Sequence, residues 1–100
     1  MDSLDFLARL QGLLELYPQI RTREDVSLLS VIGARQRAGD PISLKHLLAD
    51  HPGAPATKLR RLRVLRAAGV LVFTPAANDR RVRLVRIAPK VLNTLKRQVG

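Results

Sequence analysis

At Gly69 the hydrophobic pattern of this chain changes period, from the ~3.6 residues of a helix to the ~2 of a strand. Upstream, a helix is expected from Pro55 to Ala68. Pro55 is a favourable first-turn residue, Leu59, Leu62 and Leu65 recur on one side, and Gly69 stands where a left-handed C-terminal cap is wanted. Downstream, Val70-Leu71-Val72-Phe73 reads as a strand, Thr74-Pro75-Ala76-Ala77-Asn78-Asp79 as a loop, and Val82 to Ile87 as a returning strand. Pro89 then opens a last helix with Val91, Leu92, Leu95 and Val99 on one side.

Three helices precede this segment. The first is expected from about Ser3 to Tyr17, closed by Pro18. Its apolar residues (Phe6, Leu7, Leu10, Leu13, Leu14, Leu16 and Tyr17) cover too wide an arc for one stripe. One face can pack on its own domain, and the other implies a second copy of the chain, with the last helix beside it. A second helix is expected from Arg23 to Ala38, capped by Thr22, with Glu24 and Asp25 in the first turn where the helix dipole favours acids. Val26, Leu29, Ile32 and Gly33 make its buried row, and Gly39-Asp40-Pro41 stops it. Ile42 stands alone before Ser43, the cap of a short third helix that runs to Asp50 with Leu44, Leu47 and Leu48 inside. The 100 residues fit one domain. It divides into an N-terminal helix (1–20), a core (22–87) and a C-terminal helix (89–99).

Charge is distributed unevenly. The formal net charge is +10, but residues 1–54 sum to −1 and residues 55–100 to +11, with Asp79 the single acid of the second half. A field of that size attracts polyanions. Nine of the twelve bases in that half are Arg, whose planar fork suits phosphate and guanine. The absence of Cys excludes a disulfide scaffold, a Cys-ligated zinc site and a thiol switch. No apolar run reaches the ~18 residues of a membrane span, and the acidic start Met1-Asp2-Ser3-Leu4-Asp5 is the wrong charge for a signal peptide. A soluble cytoplasmic domain is expected. His46, Asp50 and His51 have helical spacing, but without Cys or an acidic cluster they read as surface polar residues, not metal ligands. No nucleophile motif, carboxylate pair or Gly-rich phosphate loop is present, so neither an enzyme nor a cofactor is expected.

A short helix, a tight turn, an Arg-rich helix and a hairpin with a basic tip are the sequence form of a winged helix-turn-helix: mostly α, with a two-stranded β wing. The segments Leu65-Arg66-Ala67-Ala68-Gly69-Val70-Leu71 and Asn78-Asp79-Arg80-Arg81-Val82-Arg83-Leu84-Val85-Arg86-Ile87 resemble the recognition-helix ending and wing of the MarR family of bacterial transcription regulators. Arg66 stands where that family has Glu, Ala88 where it has Thr, and Val91 where it has Gly. The resemblance spans roughly residues 22–95 and implies a double-stranded DNA-binding regulator acting as a homodimer through its terminal helices. The recognition helix (55–68) would enter the major groove and the wing (74–86) the minor groove.

By helical angle, Leu59, Leu62 and Leu65 face the body, Arg60 lies nearly opposite, Thr57 and Arg63 lie around it, and Arg61 lies at the flank. Lys58 points inward and is expected to snorkel out. In the wing, the resemblance implies that Asp79 steadies an Arg that enters the minor groove, where the negative potential attracts it. The expected DNA-binding set is Thr57, Arg60, Arg61, Arg63, Asp79, Arg80, Arg81 and Arg83. Two other readings share this pattern: an RNA-binding, ribosome-associated winged helix, and a winged-helix module that binds an acidic protein.

Overall fold

The computed structural model describes Glu15 and residues 17–20 and 22–97, with side chains to residue 94 in the last helix. The helix expected from Ser3 to Tyr17 lies almost wholly outside these residues, as does Val99. The described elements are α1 (Arg23–Arg37), α2 (Leu44–Asp50), α3 (Pro55–Ala67), β1 (Leu71–Pro75), β2 (Arg83–Ile87) and α4 (Pro89–Arg97).

Local chemistry sets most of the boundaries. Thr22 caps α1 in a reciprocal box: its hydroxyl accepts the Asp25 amide at 3.1 Å, and the Asp25 carboxylate accepts the Thr22 amide at 3.3 Å. Ser43 caps α2 by accepting the His46 amide. α3 begins on Pro55 with no side-chain cap. Both α1 and α3 end on a glycine in the left-handed region, Gly39 (φ 79) and Gly69 (φ 80). In each case the glycine amide and the one after it return to carbonyls of the last turn: Gly39 to Gln36 and Asp40 to Arg35, then Gly69 to Arg66 and Val70 to Leu65. That motif turns the chain from α3 into β1.

The strands pair antiparallel from Leu71↔Ile87 to Pro75↔Arg83. β1 therefore runs two residues further than the alternation implied. Pro75 is tolerated because it sits at a strand end, where a missing amide removes no ladder bond. Ile42 is not isolated after all. Its carbonyl accepts the Val85 amide at 2.9 Å, and Ser43 bridges Leu84, so two residues add a short third rung beside β2. The Gln36 side chain extends the same edge: it accepts the Ile87 amide at 2.7 Å and donates to the Ile87 carbonyl at 3.3 Å. The end of α1 is thereby tied to the base of the hairpin. Leu28, Leu29 and Ile32 of α1, Leu47 of α2, Leu62 and Leu65 of α3, Val85 and Ile87 of β2, and Val91 of α4 form one aliphatic core. Its burial fixes the orientation of α3.

Candidate nucleic-acid interface

The side of α3 turned to the body carries two cations as well as its leucines. Lys58 is 1% exposed, and its ammonium does not snorkel. Nζ donates to the Leu48 carbonyl at 2.6 Å and to the His51 carbonyl. These carbonyls lie at the C-terminal end of α2, where the helix leaves acceptors without partners and its dipole favours a cation. The tight turn brings them within reach of Lys58, so the charge is satisfied inside and the angle between α2 and α3 is pinned.

Arg61 was expected on the DNA-facing set, and the structure turns it inward. Its Nε and Nη2 donate to the two carboxylate oxygens of Asp25 at 2.8 and 2.7 Å, and Nη2 also reaches the Gln19 carbonyl at 2.9 Å. Asp25 is fully buried, and the Arg61 side chain is 22% exposed. The Asp25 hydrogen bonds raise the guanidinium above its ordinary pKa. At the flank of a helix a long side chain can turn either way, and a desolvated carboxylate decides the direction. Asp25 thus serves twice, capping α1 and clamping α3 to it. Its position in a first turn announced only the favourable helix dipole.

The opposite side of α3 presents Thr57, Arg60 and Arg63 to solvent, with Ala56 and Ala67 between them. Arg66 is exposed as well, and its guanidinium lies 4.9 Å from the centroid of the Phe73 ring, a cation–π contact between helix and hairpin. His51 Nε2 lies 2.8 Å from the Ser27 hydroxyl, and His46 Nδ1 2.7 Å from that of Ser43. Among the described residues no group of three or more His, Cys, Asp or Glu could hold a metal ion.

The hairpin tip is built around Asp79. The Val82 amide donates to the Asp79 carbonyl at 3.0 Å, and the Ala76 amide to the Val82 carbonyl at 2.9 Å, closing the turn. Asp79 Oδ1 accepts the Arg81 amide at 3.0 Å and Arg81 Nε at 3.2 Å. Arg81 is held at its root while its side chain remains 92% exposed. Arg80 and Arg83 are exposed beside it, whereas Arg86 is half-buried against Thr74. The Arg81 side chain first, and its amide second, hold the Asp79 carboxyl below its ordinary value. Because the folded pKa is depressed, this tie is complete above the usual carboxylate range near ~3.9 and is lost as pH falls through the lower folded value. An NMR titration of the Asp79 carboxyl should give a midpoint below ~3.9, moving upward in Arg81→Ala. A midpoint unmoved by that substitution contradicts the assignment.

No family model and no curated protein matches the sequence. Solved structures do. The chain is similar to a mutant of MepR from S. aureus at TM-score 0.66 and 16% identity, covering 95% of this chain and 65% of that one. A mutant of MarR from E. coli complexed with operator DNA gives TM-score 0.60 and 21% identity, covering 95% and 68%. The transcriptional regulator BldR from Sulfolobus solfataricus gives TM-score 0.59 and 19% identity, covering 98% and 77%. The fold is therefore the winged helix that the motifs around Gly69 and Asp79 implied. Among the described residues no helix is long and apolar enough to cross a membrane.

Proposed function

We propose that this protein is a sequence-specific, duplex DNA-binding transcriptional regulator. α3 reads the major groove, the β1–β2 wing grips the minor groove, and the flanking arginines neutralise phosphates. The observation that carries this reading is the sorting of charge on α3. Lys58 and Arg61 are used internally, while Thr57, Arg60 and Arg63 face outward on the same helix. The wing supports the reading by presenting Arg80, Arg81 and Arg83, with its single acid engaged by Arg81. The likeness to a MarR structure complexed with operator DNA adds support.

The reading includes a homodimer acting in the cytoplasm. The apolar N-terminal segment, which the sequence pattern alone reads as helical, and α4, where Leu92 is only half-buried, supply the contact between copies. Two-fold symmetry then sets two copies of α3 one turn of DNA apart, ~34–36 Å, on a pseudo-palindromic site.

Sedimentation velocity with labelled duplex DNA, hairpin RNA and single-stranded DNA tests affinity and stoichiometry together. The duplex should bind most tightly and carry two chains. Preference for the RNA hairpin, or equal binding to all three, contradicts a duplex reader. A single chain per duplex contradicts the dimer.

A further inference from the structure

The outward side of α3 is chemically narrow. From Pro55 to Ala67 the helix contains no Asp, Glu, Asn or Gln. On the major-groove edge, adenine is read bidentately by Asn or Gln, and the cytosine amino group by a carboxylate. Guanine O6 and N7 take an Arg or Lys, the thymine methyl takes apolar contact, and a Thr hydroxyl serves several bases. The helix therefore lacks the discriminating readers of adenine and cytosine and carries the reader of guanine.

Position selects among its cations. Lys58 donates to backbone carbonyls, Arg61 is bound by Asp25, and Arg66 lies over Phe73. Arg60 stands in the middle of the exposed side, with Ala56 and Ala67 within ~40° of it around the axis. Methyl side chains there let the helix approach the base edges, so that Arg60 projects from the centre of the contact. Arg63 follows after a rise of ~4.5 Å, comparable with the ~3.4 Å spacing of successive bases.

We propose that each half-site is anchored on guanine. Arg60 donates to O6 and N7 of one guanine, Arg63 reaches a guanine at an adjacent or next-adjacent pair, and these two positions set sequence preference. The proposal rests on the duplex-DNA reading above.

Selection from a pool of duplexes with a randomised centre, followed by replacement of single guanines with 7-deazaguanine, tests it. That analogue loses the N7 acceptor and keeps its Watson–Crick pairing. The enriched duplexes should share a fixed guanine in each half-site. Its 7-deaza replacement should weaken wild-type binding roughly 5- to 150-fold. Arg60→Ala, with an unchanged melting temperature, should lose this discrimination at one guanine position and keep it at the guanine that Arg63 reaches. Enrichment without a shared guanine, indifference of the wild type to 7-deazaguanine, or discrimination by Arg60→Ala at every guanine that the wild type reads overturns the guanine assignment alone. No enrichment at low salt overturns the duplex reading and this assignment with it.

Discussion

Arg61→Ala is expected to destabilise this domain by about 3 kcal/mol, because it takes from a buried carboxylate the guanidinium fork that both its oxygens accept. Asp25 is fully buried and accepts both arms of the Arg61 fork. Removing one partner of a buried pair costs more than the pair itself contributes, since the other partner keeps its desolvation cost and loses part of what offset it. The lower end of the usual ~3–5 kcal/mol range applies, as Arg61 is 22% exposed and Asp25 keeps its bonds in the Thr22 box. For a domain of this size about 3 kcal/mol corresponds to a fall in melting temperature of roughly 12–24 °C. Asp25→Ala with Arg61→Ala should cost less than the sum of the single changes, because both remove the same interaction. Thermal and urea melts of the three variants check this. An Arg61→Ala variant with unchanged stability and weakened DNA binding would return Arg61 to the DNA face.

Arg60 and Arg61 show where the sequence is legible and where it is not. They are neighbours of identical chemistry, separated by ~100° of rotation about the helix. Periodicity placed Arg60 opposite the leucines, and it is exposed. The same periodicity left Arg61 at the boundary, where the direction of a long side chain depends on a partner 36 residues away. Lys58 follows the same logic. Its inward angle was readable, but the acceptors that let it stay inside come from the end of α2.

Elements declared by local chemistry were readable from the chain. The Thr22 and Ser43 caps, Pro55 at the start of α3, Gly69 at its end, and the alternation into the hairpin all act within a few residues. What escaped is long-range or too short to have a period. The rung at Ile42 and Ser43 is two residues long, and Gln36 meets the Ile87 backbone 51 residues away. In the wing, the resemblance implied that Asp79 steadies an Arg without saying which, and the partner is Arg81, two residues on.

The account depends most on the outward arginines of α3 and the wing meeting phosphates and bases of a duplex. The direct measurement is the affinity of the wild-type protein for a duplex across a salt series. Each phosphate neutralised contributes about −0.9 to the slope of log affinity against log salt. The wing's Arg80, Arg81 and Arg83 are all exposed. If these three meet the phosphates that line the minor groove, the slope is near −2.7 per chain, a loss of roughly 40-fold between ~50 and ~200 mM salt. A dimer on two half-sites doubles that slope. Such a decline is the predicted result; binding retained with a slope near zero would contradict the basic face as the DNA-binding surface.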